Sequence, residues 1–193
     1  MSVRVLIAED ETIIRLDLRD LLERLGFEVC AEARDGEEAV KLAREQRPEV
    51  AILDVKMPRL DGIEAARRIL AERPIPIVIL TAYAQDELVE RAVEAGVFAY
   101  LVKPFREVDI APAIAAARAR HEELEAVRDE AESLAAALET RKAVEQAKGL
   151  LMERENLTES EAFARLRRAS QASGRPMKTV ADAVIETLVG RGS

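Results

Sequence analysis

The sequence predicts an α/β domain built on a five-stranded, doubly wound parallel sheet, then a helical linker and a small three-helix bundle. Three observations carry this reading. Five short apolar runs in the first 118 or so residues are separated by stretches of ten to fifteen residues with helical amphipathicity. From about Val108 onward no further strand pattern occurs. The 193 residues leave room for one such domain and a modest second one.

The runs are Val3–Ala8, Phe27–Ala33, Val50–Leu53, Ile75–Leu80 and Val97–Val102. Ile13–Leu25, Glu37–Arg47 and Gly62–Glu72 lie between them, so the segment reads as repeated βα units with helices on both faces of a parallel sheet. Ligands of such sheets bind beyond the carboxyl ends of the strands. Next, Leu124, Val127, Ala131, Leu134 and Leu138 recur at a 3-4-3-4 spacing with charged residues between them. That is either a short coiled-coil seam pairing with a second copy or a single amphipathic helix lying on its own domain. Three further helices are expected at Lys142–Arg154, Glu159–Gln171 and Met177–Leu188. Thr158 with Glu161 forms a capping-box pattern, and Gly174-Arg-Pro176 separates the last two helices. The expected boundaries are 1–118, 119–140 and 141–193. Leu150, Leu151, Ala162, Phe163, Leu166, Val180, Ala183, Val184 and Leu188 read as core of the small bundle.

Composition narrows the class. No apolar run approaches a membrane span, and the start has neither the basic head nor the cleavage site of a signal peptide, so a cytoplasmic protein is expected. Cys30 has no cysteine to pair with and falls in an expected strand, as a small buried hydrophobe. The net charge of −8 is uneven: residues 1–120 carry −5, residues 121–140 carry −6 and residues 141–193 carry +3. Only the last segment is compatible with phosphate-backbone contacts.

Five polar residues gather at the strand ends. Glu9 and Asp10 follow the first strand, Asp54 ends the third, Thr81 the fourth and Lys103 the fifth. Three converging carboxylates repel one another without a cation among them, and hard oxygen ligands suit Mg²⁺. With that charge in place, one carboxylate can attack a phosphoryl group, while Lys103 and Thr81 stabilise charge on the transferring oxygens.

The strings AED at 8–10, DVKMPRLDG at 54–62, TA at 81–82 and KPF at 103–105 resemble the receiver domain of two-component response regulators. The resemblance implies a flavodoxin-like fold, a sensor histidine kinase as partner and Asp54 as phosphoacceptor. It implies Mg²⁺ held by Asp10, Asp54 and the backbone carbonyl of Lys56, with Glu9 acting through water. Thr81 and Tyr100 become the switch residues, Lys103 the phosphate-binding lysine, and Lys103–Pro104 a cis peptide. Lys56 and Tyr83 flank the expected path of a hydrolytic water, and bulky Tyr83 is expected to slow loss of the phosphoryl group.

The string RKAVEQAKGLLMERENLTESEAFARLRRAS from Arg141 resembles the ANTAR family, the RNA-binding module of transcription antitermination regulators. By that resemblance the chain is a response regulator that binds RNA hairpins and forms a homodimer when phosphorylated. Lys148, Arg165, Arg167, Arg168, Arg175 and Lys178 are the candidate RNA contacts. Phe163 is the only aromatic after Phe105; assigned to the core, it leaves shape and phosphate contacts as the means of recognition. The alternatives are a DNA-binding, helix-turn-helix-like output using Met177–Leu188, and a protein-interaction adaptor. An enzymatic output is not expected, because residues 141–193 contain no His or Cys and the single histidine, His121, falls in the linker.

Overall fold

The computed structural model describes residues 2–82, 86–97 and 99–190, with side chains for all of these except 86–89 and 190. It contains β1 (Arg4–Ala8), α1 (Thr12–Arg24), β2 (Glu28–Ala33), α2 (Gly36–Gln46), β3 (Val50–Asp54), α3 (Gly62–Glu72), β4 (Ile77–Thr81), α4 (Asp86–Glu94), β5 (Ala99–Val102), α5 (Glu107–Glu155), α6 (Glu159–Ser173) and α7 (Met177–Gly190). The strands form one parallel sheet in the order β2-β1-β3-β4-β5.

Burial follows from that order. Every residue of β3 and β4 is buried, because helices cover both faces, and their sequences are accordingly almost unbroken apolar runs. Side chains alternate between two cores, as the two-residue period of a strand demands. Leu6, Leu53, Ile77 and Ile79 pack with Ala39 and Ala43 of α2 and Ile63, Ala66 and Ile69 of α3. Val5, Ile7, Ile52, Val78, Leu80 and Leu101 pack with Leu18, Leu21 and Leu22 of α1 and Ile110, Ile114 and Ala117 of α5. The chain order reverses beside β1, which opens the crevice at the strand ends.

The two edge strands are less covered. Cys30 is the extra residue of a β-bulge, since Val5 pairs with Val29 and Leu6 with Ala31. It is half-buried rather than buried, its thiol donates to the Val5 carbonyl at 3.4 Å, and burial pushes its pKa up. Glu28 and Glu32 lie on the same strand and pair with Arg4, Arg15 and Arg19.

Two helix starts set the loop after β3. Asp61 caps α3, accepting from the Glu64 amide at 2.8 Å, and Asp35 caps α2 in the same manner from Glu38 at 2.9 Å. A Cβ at Gly62 would run into the backbone carbonyl of Asp54, so only glycine fits at that position. Asp35 is fully buried and ion-paired with Arg59, which takes the left-handed conformation at φ 66° within the β3–α3 loop.

The chain divides into two compact units at Glu125/Ala126. In the second, Ala143, Val144, Ala147 and Leu151 of α5 pack with Ala162 and Leu166 of α6 and Val180 and Ala181 of α7. The capping box at Thr158 and Glu161 starts α6, and Gly174 ends it with φ 67°. Three expectations need correction. The linker and first bundle helix are one 49-residue helix, α5, because no Gly or Pro interrupts residues 113–148 and Ala, Glu, Leu and Arg dominate there. Ala183 is exposed and Ala181 occupies the core instead. Phe163 is 44 % exposed and is not part of the buried cluster. Along α5, Leu124, Val127, Leu134 and Leu138 are all exposed.

Among the described residues, no helix is long and apolar enough to cross a membrane.

Candidate functional site

Parallel pairing assembles the strand ends. Ala8 lies beside Leu53, Asp54 beside Leu80 and Thr81 beside Val102, so β1, β3, β4 and β5 deliver their next residues to one edge. The Lys103 amide donates to the Thr81 carbonyl at 2.8 Å, which fixes where the lysine leaves the sheet. The Lys103–Pro104 peptide is cis.

At that edge, carboxylate oxygens of Glu9, Asp10 and Asp54 lie within 4.8 Å of one another. Glu9 and Asp54 are buried and Asp10 is exposed. The Lys103 Nζ is 2.6 Å from Glu9 Oε2 and 2.6 Å from Asp54 Oδ1. The Lys56 amide donates to Asp54 Oδ2 at 2.9 Å, and the Glu11 amide to Glu9 Oε1 at 3.2 Å. Thr81 is buried at the end of β4. The Tyr100 side chain is 54 % exposed on β5. Lys56 is exposed, and Tyr83 lies outside the described residues.

Arg15 is a member of the site that the sequence reading missed. It is 7 % exposed, and its Nη1 donates to the Glu9 carbonyl at 2.6 Å while its Nε lies 3.4 Å from Glu32. The available signal was an arginine in the buried stripe of α1, in phase with Leu18 and Leu22.

Burial pushes the Glu9 and Asp54 carboxyls above the usual carboxylate range. Lys103 opposes this through its hydrogen bonds and charge, while Asp54 raises Glu9 and Asp10 raises Asp54. Burial alone would lower the Lys103 ammonium, but its hydrogen bonds to Asp54 and Glu9 outweigh it and hold the lysine above its ordinary value. Glu9 and Asp54 therefore share one ammonium with Asp10 beside them, and the three carboxylates remain short of positive charge. Clustered hard oxygens of this kind fit a small divalent cation.

In the second unit, the six candidate cations fall into two groups. Lys148 is 7 % exposed and bonds Glu145 at 2.9 Å and Glu159 at 2.7 Å; Lys178 bonds Asp182 at 2.8 Å, and Arg165 is ion-paired with Glu155. Among the described residues, the guanidinium groups of Arg167, Arg168 and Arg175 have no carboxylate partner. A groove of about 370 Å³ lies between the three helices, lined by Leu151, Arg165, Arg175, Val180, Val184 and Leu188 among others.

Comparison with known proteins divides the chain in the same way. The response regulator receiver domain matches residues 5–115 and the ANTAR domain residues 132–185, the latter starting inside the expected linker. The transcriptional regulatory protein PdtaR of Mycobacterium tuberculosis is 52 % identical over 185 residues, covering 96 % of this chain and 90 % of that protein. The transcriptional regulatory protein LiaR of Bacillus subtilis is 40 % identical over 125 residues, 64 % of this chain and 59 % of that one. Among solved structures, the receiver domain of a modulated diguanylate cyclase from Desulfovibrio desulfuricans covers 63 % of this chain and 98 % of its own, at 34 % identity and a TM-score of 0.59. CheY in a CheX–CheY–BeF3–Mg²⁺ complex from Borrelia burgdorferi matches 59 % of this chain and 87 % of its own, at 25 % identity and a TM-score of 0.57.

Proposed function

Because the chain belongs to the two-component response regulators that join a receiver domain to an ANTAR domain, we propose that phosphorylation of Asp54 by a sensor histidine kinase controls binding of its C-terminal module to RNA hairpins, and through it transcription antitermination. The observation that carries the receiver half is the Lys103 ammonium bridging Glu9 and Asp54 in a cluster of three carboxylates.

Asp10, Asp54 and the Lys56 carbonyl would hold Mg²⁺, with Glu9 behind them; the bound ion supplies charge that draws in the phosphoryl oxygens and offsets their repulsion by the carboxylates. The Asp54 carboxylate attacks phosphorus as the bond from phosphorus to the kinase histidine breaks, and the imidazole keeps that electron pair. Lys103 is positioned to exchange its contact with Asp54 for one with a phosphoryl oxygen, and the Thr81 hydroxyl donates to another. Arg15 holds the Glu9 backbone and with it the start of the β1–α1 loop. Tyr100, exposed on β5, carries the change to the surface, and Lys56 with Tyr83 sets the lifetime of the phosphoryl group. The CheX–CheY complex that contains BeF3 and Mg²⁺ supports binding of Mg²⁺ by a receiver of this fold.

The exposed stripe Leu124, Val127, Leu134 and Leu138 supports pairing of two phosphorylated copies. RNA is favoured over DNA because α7, the candidate recognition helix, has its one lysine ion-paired with Asp182 on the same helix. The test is binding of a two-hairpin RNA and of duplex DNA to the full chain, before and after phosphorylation, with Asp54→Ala as control. Phosphorylation-dependent RNA binding is expected. Tight phosphorylation-dependent binding to duplex DNA would overturn the proposal.

A further inference from the structure

Phe163 breaks the pattern of its own module. It is the only aromatic side chain after Phe105, yet 44 % of it is exposed, and it is not a member of the buried cluster of α5, α6 and α7. Leu166, three residues on, is 1 % exposed, and Ala162 is fully buried. The core stripe of α6 therefore runs through Ala162 and Leu166 and leaves Phe163 to one side. The groove between the helices uses Arg165, Ala169 and Ser173, on the other flank of that stripe, so Phe163 does not line it.

The surroundings of Phe163 identify a partner. One turn along the same face stands Arg167, whose guanidinium has no carboxylate partner among the described residues, as is also true of Arg168. The acidic residues at the start of α6 are already engaged: Glu159 with Lys148, and Glu161 with the Thr158 cap. An exposed aromatic ring one turn from an unpaired guanidinium, with Glu159 ion-paired to Lys148, complements a chain of phosphates that carries an accessible planar base. Unpaired bases of RNA loops stack on aromatic and guanidinium planes in this way, whereas bases within a duplex are hidden from them.

We propose that Phe163 is a stacking platform for an unpaired loop base of the bound RNA, with Arg167 contacting the adjoining phosphate. This rests on the RNA-binding reading above and supplies what phosphate contacts lack, a means of telling a loop from a plain duplex.

The test compares the full chain with Phe163→Leu, Phe163→Trp and Arg167→Ala variants, with and without acetyl phosphate and Mg²⁺. The probes are a two-hairpin RNA with a 2-aminopurine in each loop and an RNA duplex of equal length without unpaired bases. Phe163→Leu is expected to weaken hairpin binding roughly five- to a hundredfold, the range for loss of one base–aromatic stack, to abolish quenching of the loop fluorophore, and to leave duplex binding unchanged. Phe163→Trp restores both signals, and Arg167→Ala weakens both probes alike. Hairpin binding unchanged in Phe163→Leu, or an equal loss on hairpin and duplex, overturns the stacking role while the RNA-binding reading stands. Failure of the unmodified chain to bind either RNA overturns both. A Phe163→Leu variant that loses self-association in sedimentation and keeps its fluorescence quenching assigns the ring to a second copy of the chain instead. Unfolding curves followed by circular dichroism establish that the variants share the parent fold.

Discussion

The Lys103 ammonium lies 2.6 Å from a carboxylate oxygen of Asp54, and the same nitrogen is equally close to Glu9. One cation thus bridges two buried anions and offsets their mutual repulsion. Lys103→Met leaves both carboxylates without it. Phosphorylation by acetyl phosphate is expected to slow about a hundred- to a thousandfold, the range for removing one donor to developing charge. In EDTA the variant should also lose about 3–5 kcal/mol of stability to urea, the cost of a buried charged group left without its partner. Added Mg²⁺ should recover much of that loss. An unchanged phosphorylation rate would remove Lys103 from the site.

Metal linkage follows from the same shortage of positive charge. Mg²⁺ at a hundred times its dissociation constant should stabilise the receiver by about 2.7 kcal/mol, visible as a rise in melting temperature that Asp54→Asn abolishes. The Asp54 carboxyl is raised in the folded state by burial, so its ionised form opposes folding. Without metal, that contribution is most favourable below the unfolded carboxyl range and diminishes as the pH rises through the folded value. In EDTA at neutral pH, Asp54→Asn is therefore expected to melt no lower than the parent, and a large drop would contradict the reading.

Asp61 behaves in the opposite sense. Burial pushes its carboxyl up, but the Glu64 amide and the Arg91 guanidinium more than offset this and hold it below the usual range. The stabilisation is present above the unfolded aspartate value of about 3.9 and is lost as pH falls through the lower folded value. Asp61→Ala should cost about 1 kcal/mol as a lost N-cap at neutral pH, with a smaller difference at strongly acidic pH. Gly62→Ala, one residue on, is expected to cost more and to slow phosphorylation, because its Cβ displaces the carbonyl of Asp54 itself.

In the second unit, Lys148 and Arg167 should separate cleanly. Lys148→Met breaks the contacts to Glu145 and Glu159 and is expected to lower the melting temperature of the bundle. Arg167→Ala should leave melting unchanged, weaken RNA binding across sequences and reduce the slope of log K against log salt by about one. The reverse pattern would make Lys148 the contact.

The receiver was readable because each of its signals is local and redundant. Apolar runs such as Val50–Leu53 end in the polar residue that matters, and parallel pairing then brings those ends together. Strand limits differed by one or two residues, as with Ile77 in place of Ile75, because Pro76 lies between them and cannot donate to a ladder. Arg15 was missed since a buried arginine on an amphipathic helix carries no sequence signature until its carbonyl partner at Glu9 is known. The bundle was harder. With only two turns of each helix contributing, Phe163 and Leu166 both fit an apolar register, and packing alone decided which of them went inside. Lys148, flanked by small residues, read as accessible; its side chain folds instead against two glutamates.

The bulge at Cys30 and the glutamates of β2 have a consequence for solubility. A parallel sheet has two unpaired margins that invite a strand from another molecule. At one margin, an incoming strand would meet an irregular hydrogen-bond ladder and the carboxylates of Glu28 and Glu32; at the other, β5 offers only four residues before Pro104. The sheet is thereby guarded against edge-to-edge aggregation.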